Sequence, residues 1–577
     1  MAQIGTTTKG FEEVDDRIDA SKPAATDLNL DGFDTSSIPF EKEQWPVMIM
    51  GSSLVGMMMG LLLGHWGVKS TSFDRHATIL SHPRATGLNF RTSEILRQIN
   101  LERLCQEESV REFDIDSGLL VVERLIGGKV IQQVQEHDPK RDAEVTPSNW
   151  LWMNQAMLEP ILLEYAPKFG YTPQYETKIV HYEEEADGVV VIVQDLRTQK
   201  YKKYKTQYLV ACDGNRSSTR RKEGIEMTGH GFLSSSLNIR FKADIKRLLG
   251  SRSRHGVMYI TTPHITGAFR QEDRGQGGLL WINSIDGKTE FPPGSVTEED
   301  AKRYVNECGG FTKEDDMELL SFAHWTLASY VAERFTSRGG RVLLAGDAVH
   351  IMPPTGALGG NTGINDAHNL AWKLAHVVTG KASPSLLHSY EAERKPVDAF
   401  VVDQATRRFR NRIMNTIPRI PEEPYYTVEF GCRYNAGAII PAEDDTFNKD
   451  YEDPHTPSGS AGSRFPHIRL ECQDGTHISS LDLIKQNFVL VAAETASPWI
   501  LAAKDLSFAL DSYALHEKSQ PYRDYRGMLR EKGRLGTGMA LLIRPDGFIA
   551  WKAEDTSSGH KELLQKALGR LLGQSIR

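Results

Sequence analysis

Cysteine is scarce in this sequence, and the few cysteines are far apart. Five occur in 577 residues, at Cys105, Cys212, Cys308, Cys432 and Cys472. Their number is odd, and no pair has the CxxC or Cys/His spacing typical of a disulfide framework or a zinc site. We therefore predict no metal and no disulfide scaffold, and we interpret each cysteine as a small buried hydrophobe.

The chain also lacks a secretory signal and a basic tract. Its first 20 residues are polar and acidic, which favours a reducing, cytoplasmic setting. Lys and Arg total 68 against 76 Asp and Glu, and ten of those acids lie in residues 1–45. We predict a disordered acidic extension over 1–45. The near-neutral remainder argues against nucleic acid as a partner.

The overall composition is that of a globular protein. Hydrophobic residues make up 40% of the chain and charged residues 25%. These values exclude collagen-like, coiled-coil and wholly disordered proteins. A length of 577 residues predicts about three domains.

One long segment lacks charge altogether, since no Asp, Glu, Lys or Arg occurs from Gln44 to Val68. A run of this length is sufficient to span a bilayer. The alternative divides it into a strand over 46–50, a turn with the sequence GSSLVG, and a helix over 57–66. A second strand ending in an acid follows, which favours the mononucleotide-binding βαβ unit. A membrane-anchored nucleotide-binding protein remains the competing hypothesis.

The residues of this turn have the chemistry of a phosphate loop. Gly51 permits a tight turn, and Gly56 allows the helix to pack closely on the strand. The first N–H groups of the helix then face a diphosphate. Ser53 stands where the GxGxxG pattern has its middle glycine, which weakens the motif. Asp74 follows Gly51 by 23 residues, about where a carboxylate meets a ribose hydroxyl.

Two later segments end buried strands with Asp-Gly or Gly-Asp. YLVACDG (208–214) places Asp213 at a strand end, although an isolated Asp-Gly fits a hairpin turn equally well. GRVLLAGDAVH (340–350) delivers Asp347, which can accept hydrogen bonds from a polyol. A Gly/Pro-rich loop over 352–363 and a helix from Ile364 are predicted next. The loop glycines let main-chain N–H groups approach a planar ligand.

Together these motifs resemble the FAD-dependent aromatic hydroxylases, the single-component flavoprotein monooxygenases related to 4-hydroxybenzoate hydroxylase and phenol hydroxylase. The resemblance covers roughly residues 45–410 and includes PRATGLNFRTSEILRQ (83–98) and SYEAERKPV (389–397). It implies an α/β fold with a Rossmann-like FAD-binding domain, a β-rich substrate-binding insert and a thioredoxin-like C-terminal domain. The C-terminal domain has no CxxC pair, so packing or dimerisation is favoured over a redox role.

Domain boundaries follow from the motifs and from the Pro/Gly/Ser-rich segments. We predict a discontinuous FAD-binding domain over 46–225 and 336–412. The substrate-binding insert covers 226–335 and takes in part of 100–150. A linker is predicted over 413–462, and the thioredoxin-like domain covers 463–577.

The resemblance also implies residue-level roles in binding the cofactor. The glycine turn would face the FAD diphosphate, Asp74 the adenosine ribose and Asp347 the ribityl chain. Asp213 would lie near the diphosphate. Main-chain N–H groups of Gly360 and Asn361 would meet the flavin pyrimidine edge. The predicted cofactor-binding residues are Gly51, Ser53, Gly56, Asp74, Arg75, Arg84, Gln155, Asp213, Gly346, Asp347, Pro354, Gly360 and Asn361.

The implied activity is hydroxylation of a phenolic or aromatic polyketide-like substrate through a flavin hydroperoxide, in secondary metabolism. FAD would be resident, with NADPH, or NADH, as a transient donor and dioxygen as co-substrate; a homodimer is compatible with the family. Baeyer–Villiger oxygen insertion into a polycyclic ketone uses the same flavin peroxide and stays open. We name no catalytic side chain. His255, Tyr259, His264 and Arg270 are candidates for a bond to the phenol, but a structural or surface role explains each better.

Overall fold

The computed structural model describes residues 35–79, 87–134, 138–263, 265–283, 291, 294–311, 317–414, 417–443, 445, 449–492, 497–515, 521–554 and 558–576. Most of the predicted acidic extension, together with Arg84 and His264, lies outside these ranges. Residues 35–45 are described. Within them, Phe40 forms a β-bridge with Lys203, and Trp45 is buried.

The helices of the described residues are α1 (Leu54–His65), α2 (Phe90–Gln98), α3 (Glu102–Glu112), α4 (Pro139–Val145), α5 (Gln155–Tyr165), α6 (Ser218–Lys222), α7 (Ile245–Leu249), α8 (Glu298–Gly309), α9 (Leu358–Val378), α10 (His388–Arg412), α11 (Tyr425–Phe430), α12 (Pro498–Lys504), α13 (Met528–Lys532) and α14 (His560–Leu572).

The strands are β1 (Val47–Met50), β2 (Ser70–Phe73), β3 (Leu119–Val122), β4 (Val130–Val134), β5 (Tyr171–Gln174), β6 (Thr177–Glu185), β7 (Gly188–Asp195), β8 (Tyr201–Thr206), β9 (Tyr208–Ala211), β10 (Met227–Lys242), β11 (Val257–Thr261), β12 (Thr266–Glu272), β13 (Gly277–Asn283), β14 (Glu318–Ala332), β15 (Val342–Leu344), β16 (His350–Ile351), β17 (Arg469–Cys472), β18 (His477–Ser479), β19 (Phe488–Ala492), β20 (Leu510–Ala514), β21 (Tyr522–Arg523), β22 (Ala540–Ile543) and β23 (Ile549–Ala553).

A parallel five-stranded sheet with the order β15-β9-β1-β2-β5 forms the centre of the first unit. The strands β1, β9 and β15 are apolar along their whole length and fully buried, as expected when both faces of a parallel sheet are covered. Parallel strands end at a common edge, so β1, β2, β9 and β15 bring their following loops together. The α/β prediction is confirmed, and the predicted strands at 46–50, 68–74, 208–214 and 340–346 are all present.

The uncharged segment 44–68 forms β1, the turn and α1. Helix α1 has 12 residues, and its Met57, Met58 and Met59 are fully buried against the rest of the first unit. No described helix is long and apolar enough to cross a membrane. The hydrophobicity of this segment is therefore accounted for by a helix packed between the sheet and α9.

Helix α9 corrects one prediction. The sequence placed a Gly/Pro-rich loop over 352–363 and the helix start at Ile364, whereas the helix begins at Leu358. A side chain at Gly363 would place its Cβ 2.6 Å from Val55 Cγ2 and 3.1 Å from the Cα of Gly346. The glycine therefore allows close packing of α9 on α1 and on the turn after β15, and it does not indicate a loop.

A second, eight-stranded sheet has the order β16-β14-β10-β13-β12-β11-β3-β4. It combines strands from 119–134 with strands from 227–332, and β16 joins it from the first unit. One face is covered by α8 around a core that includes Phe241, Phe269 and Val305. The sheet therefore extends from the turn after β15 to a separate hydrophobic core.

The C-terminal part contains a four-stranded sheet with the order β20-β19-β22-β23, flanked by α12 and α14. The predicted hairpin over 540–551 is present as β22 and β23. All five cysteines are free: Cys105 and Cys308 are buried, whereas Cys212, Cys432 and Cys472 are partly buried. The segment predicted as a linker contains α11, which buries Phe430 against α2.

Fully buried charges join this C-terminal part to the first unit. The guanidinium of Arg544, in the turn after β22, donates to both oxygens of Glu393 on α10 at 2.8 and 2.9 Å. Lys373 of α9 donates to Glu393 at 2.7 Å, and Arg544 also binds Asp546. Burial and the nearby Arg544 lower the pKa of Lys373 to about 8, against the effect of Glu393. The last hairpin of the chain is thus bonded to the helices that carry the candidate site.

Candidate functional site

The turn after β1 is shaped by two glycines that cannot be replaced without moving backbone. Gly51 has φ +98°, and a Cβ there would collide with the carbonyl oxygen of Cys212. A Cβ at Gly56 would collide with the carbonyl oxygen of Gly51. Helix α1 therefore approaches the strand end as closely as the predicted phosphate loop requires.

Two predicted residues lie in contact beside this turn. Ser53 is the N-cap of α1 but makes no side-chain capping bond; it donates to Glu159 Oε1 at 2.9 Å. The Gln155 side chain donates to Ser53 Oγ and to Glu159 Oε1, each at 2.5 Å. Because Ser53 is occupied in this way, it leaves the first N–H groups of α1 uncapped, as suits an anion.

Asp74 follows β2 at the same edge of the sheet. It accepts hydrogen bonds from the Ser52 N–H at 2.7 Å and from both the main chain and the ring of His76, at 3.0 and 2.7 Å. Burial raises the pKa of Asp74, but these hydrogen bonds outweigh it and hold the pKa below its ordinary value. An ionised acceptor thus stands next to the glycine turn. The neighbouring Arg75 is exposed.

Asp213, which follows β9, has one satisfied oxygen and one unsatisfied oxygen. Its Oδ2 accepts from the Thr219 N–H at 3.0 Å and from the Ser218 hydroxyl at 3.3 Å. Its Oδ1 is buried and has no hydrogen-bond partner in the described part of the chain. A buried carboxylate oxygen without a donor costs roughly 1–3 kcal/mol. The residues around it therefore suit a bound group that supplies a hydroxyl or another donor.

The turn after β15 presents Asp347 to solvent. Gly346 has φ +66°, and its N–H donates to Asp366 Oδ2 at 3.0 Å. Asp347 itself is exposed, as is Pro354 on the segment that leads to α9. The predicted polyol-binding carboxylate is thus accessible at the edge shared with Asp213.

The amino end of α9 has no side-chain cap, and its N-cap Ala357 adopts φ +55°. The Asn361 side chain is used elsewhere: its Nδ2 donates to Gly87 O at 2.9 Å, and its Oδ1 accepts from the Asn89 N–H at 3.1 Å. These bonds tie the helix to the segment that follows Arg84. The first-turn amides, including that of Gly360, remain directed out of the helix end, where they favour negative charge.

A buried polar cluster that the sequence did not predict supports the Gly346 turn. His350 Nε2 lies 2.8 Å from Asp366 Oδ2, and Arg394 Nε lies 2.9 Å from Asp366 Oδ1. Arg394 also binds Asp398 at 2.5 Å. His350, Asp366 and Asp398 have the composition of a metal site. The guanidinium of Arg394, however, binds one oxygen of each carboxylate, so a cationic side chain already pairs with both acids.

The protonation of His350 gives this cluster a defined pH dependence. Burial opposes protonation, but the Asp366 carboxylate raises the pKa of His350 from 6.5 to about 9; Asp398 and Asp347 act in the same direction, and Arg394 also faces Asp366. Because folding raises this pKa, protonation of His350 stabilises the fold fully below pH 6.5. That stabilisation is lost as the pH rises through about 9.

We expect His350→Asn to lower the free energy of unfolding by up to about 3 kcal/mol at pH 6. The difference from the unsubstituted chain should shrink as the pH rises through about 9, because only the unsubstituted chain loses a proton there. Urea denaturation at a series of pH values measures this difference in the free energy of unfolding. A difference that is constant across the series would show that folding does not raise the pKa of His350.

The candidates for a phenol-side bond are dispersed over the eight-stranded sheet. Arg270 is fully buried, pairs with Glu272 at 3.1 Å and lies over the ring of Trp281, which is a structural environment. His255 contacts the carbonyl of Arg252, and burial lowers its pKa. Tyr259 packs among apolar side chains. The described residues give no geometric reason to assign one of them a proton-transfer role.

Comparison with known proteins covers nearly the whole chain. The family model of an FAD binding domain matches residues 44–405, and that of the aromatic-ring hydroxylase C-terminal domain matches residues 458–575. The 4-methyl-5-nitrocatechol 5-monooxygenase of Burkholderia sp is 35% identical over 544 residues, 91% of this chain and 97% of that protein. The aklavinone 12-hydroxylase RdmE of Streptomyces purpurascens is 30% identical over 537 residues, 91% of this chain and 98% of that protein.

Solved structures of flavin-dependent enzymes also match nearly the whole chain. Aklavinone-11 hydroxylase in a complex with FAD and aklavinone superposes with a TM-score of 0.83 and 28% identity, covering 93% of this chain and 100% of that one. The flavin-dependent monooxygenase PieE in complex with FAD and substrate has a TM-score of 0.80 and 25% identity, covering 92% and 100%. The likeness therefore includes the eight-stranded sheet and the C-terminal part as well as the parallel sheet.

Proposed function

The chain belongs to the FAD-dependent aromatic-ring hydroxylases, and on that basis we propose that it inserts one atom of dioxygen into a phenolic or aromatic polyketide-like substrate, using NADPH as the electron donor. It is an FAD-dependent monooxygenase. The curated relatives named above act on a nitrocatechol and on aklavinone by their names, and this supports an aromatic substrate. A role in secondary metabolism agrees with the polyketide hydroxylases among the relatives.

The residues at the shared edge of the parallel sheet fit FAD, and the unsatisfied Oδ1 of Asp213 is the observation that carries this assignment. We assign the diphosphate to the turn at Gly51 and the amino end of α1, and the adenosine ribose to Asp74. Asp347 then holds the ribityl hydroxyls. Asp213 accepts a hydrogen bond from the bound group. The remaining predicted residues, including Arg84 outside the described ranges, are proposed contacts on the resemblance alone.

When bound, FAD supplies the redox chemistry, which is to accept two electrons from NADPH and to activate dioxygen. The protein must then provide the electrostatic environment. The uncapped amides of α9 stabilise negative charge at the flavin pyrimidine edge, where the dipole of the 21-residue helix acts in the same sense. The Asn361 side chain keeps that helix end in register with residues 87–89. This arrangement does not require a protein nucleophile.

The predicted domain boundaries, the homodimer, the cytoplasmic setting and the absence of membrane association are parts of the same proposal. Five free cysteines support a reducing setting. The eight-stranded sheet, which joins 119–134 to 227–332, supports a substrate-binding insert that draws on two stretches of chain.

Purified protein is expected to be yellow and to oxidise NADPH faster when a substrate phenol is added. A panel of single-ring phenols and anthraquinone-type polyketides identifies that substrate by the rate of NADPH oxidation. Isotopically labelled dioxygen then separates the two oxygen-insertion reactions, since hydroxylation places the label in a new phenol and Baeyer–Villiger insertion places it in an ester. Colourless protein that takes up no FAD would contradict both reactions.

A further inference from the structure

The eight-stranded sheet has two faces, and only one of them packs on α8. On β10, Leu237 and Ile239 belong to the core beneath α8. Successive residues of a strand point to opposite faces, so Asn238 points to the other side of the sheet. That side is turned toward the first unit, because Trp325 and Tyr259 pack there against a cluster that includes Phe409 of α10. Asn238 therefore lies on the face of the insert that is directed at the flavin-binding unit.

Asn238 stands in a row of directly paired residues that crosses six strands of this sheet. Residues paired in this way point to the same face. From β14 to β3, the row contains Ala323, Asn238, Trp281, Ala268, Tyr259 and Val121. All of them are partly exposed, whereas Leu237 and Ile239 on the opposite face are fully buried. The row therefore borders accessible space between the sheet and the first unit.

The aromatic members of the row are held by buried neighbours. The guanidinium of Arg270 lies over the ring of Trp281, with 5.3 Å to the ring centroid. Arg270 is fully buried and donates a hydrogen bond to Glu272 at 3.1 Å, so this ion pair fixes the guanidinium that supports the indole. Tyr259 packs against Trp152 and against Phe409. The row thus offers ring surface in fixed positions.

Asn238 contributes an amide that the protein leaves without a full set of partners. Its Oδ1 is buried and has no hydrogen-bond partner in the described part of the chain. Ser236, two residues earlier on the same face, is satisfied, since it bonds to Asn283 Oδ1 at 2.5 Å. The terminal torsion of an asparagine is broad, so the amide can turn either its carbonyl or its NH₂ group toward the accessible space. A bound molecule with a polar group can therefore satisfy it.

We propose that Asn238 determines substrate specificity by forming a hydrogen bond with a hydroxyl group of the aromatic substrate, a proposal that rests on the function proposed above. A hydroxyl both donates and accepts, so it pairs with either end of the amide. The Cβ atoms of directly paired residues are about 4.5–5.5 Å apart, so a ring that is bonded to Asn238 also contacts Trp281. An aromatic molecule without this hydroxyl leaves the amide unpaired and binds less tightly.

Asn238→Leu tests the proposal, because leucine has the same branching but no polar group. Binding to FAD-loaded protein without NADPH is measured by equilibrium dialysis, with alizarin, a dihydroxyanthraquinone, and catechol as probes. We expect the substitution to weaken the binding of at least one probe ~10-fold or more, which corresponds to about 1.4 kcal/mol. The urea midpoint should be unchanged or higher, since an unsatisfied buried acceptor is removed. Stability and binding thus change in different directions, which a structural role would not produce.

The probes also locate the hydrogen bond. The two monohydroxyanthraquinones each lack one hydroxyl of alizarin, and phenol lacks one hydroxyl of catechol. The compound that lacks the contacted hydroxyl should bind the Asn238→Leu variant and the unsubstituted protein about equally, because no pairwise interaction is left to lose. Asn238→Ala is a second variant, which also removes the amide and leaves more space.

The matched control is Asn306→Leu, since Asn306 is exposed on α8, which covers the opposite face of the sheet. It should bind every probe like the unsubstituted protein. Retention of FAD, read from visible absorbance, reports that each variant is folded.

The outcomes separate this proposal from the proposed function. If both Asn238 variants bind the probes as tightly as the control, or lose affinity equally for all compounds, Asn238 makes no such hydrogen bond. A lower urea midpoint in both variants assigns Asn238 a structural role instead. An unsubstituted protein that binds neither alizarin nor catechol also overturns the proposal. If the hydroxyl-dependent loss is found but no phenol stimulates NADPH oxidation, the role of Asn238 stands and the proposed hydroxylation fails.

Discussion

Replacing Arg544 with methionine is expected to lower the free energy of unfolding by about 3–5 kcal/mol. Arg544 is fully buried and provides four of the charge-assisted hydrogen bonds at the junction, two to Glu393 and two to Asp546. Methionine fills a similar volume but leaves the buried Asp546 carboxylate without the guanidinium it binds. An uncompensated buried charge is among the largest costs a single substitution imposes. Urea denaturation followed by tryptophan fluorescence measures the change.

Arg523→Met is the matched control, because Arg523 pairs with Glu471 at 3.6 Å on the surface of the same C-terminal part, with both side chains about one-third exposed. An exposed pair of this kind contributes ~0–1 kcal/mol. Similar losses for the two substitutions would show that the Arg544 network does not hold the C-terminal part to α10.

Replacing Gly56 with alanine is expected to abolish FAD retention during purification, with an affinity loss of at least ~100-fold, about 2.7 kcal/mol. The added methyl group would collide with the carbonyl oxygen of Gly51. Backbone on both sides is fixed, since the Gly51 N–H is bonded to Phe73 O at 2.9 Å and α1 is packed within the core. The helix must move away from the strand end, which removes its amides from the assigned diphosphate position. Protein-bound flavin is quantified by visible absorbance after gel filtration.

Gly67→Ala, beyond the other end of α1, controls for general destabilisation. Gly67 has φ +82°, so alanine there is strained, but its Cβ would meet nothing within 4 Å. The variant should lose about 1 kcal/mol of stability and keep its flavin. A yellow Gly56→Ala protein with the flavin content of the control would refute the assignment of this turn to the diphosphate.

Three strands of the parallel sheet were predictable because each is a short apolar run that leads into a glycine turn. The segments VMIM, YLVA and VLL read as buried strands without any knowledge of their partners. The start of α9 was not predictable in this way. Glycine in a local pattern indicates a turn, whereas at Gly363 it serves a contact with Val55, more than 300 residues earlier in the chain.

The polar residues of the site also divide into those that the sequence predicts and those that it does not. Glycines and acids at strand ends follow local rules, and the structure places Gly51, Asp74, Asp213 and Asp347 at one edge of the sheet. The partners of His350 and the use of the Asn361 side chain depend on pairs that are distant in sequence, such as Asn361 with Asn89. No spacing rule encodes such pairs.

The junction at Arg544 also has a consequence for the order in which the chain matures during synthesis. Glu393 emerges from the ribosome 151 residues before Arg544. Until then, its carboxylate has Lys373 and Asn369 as partners but no guanidinium. Domains generally fold as units during synthesis, the N-terminal ones first. Here the helices that carry the flavin assignment reach their final electrostatic environment only after the hairpin of β22 and β23 has been translated.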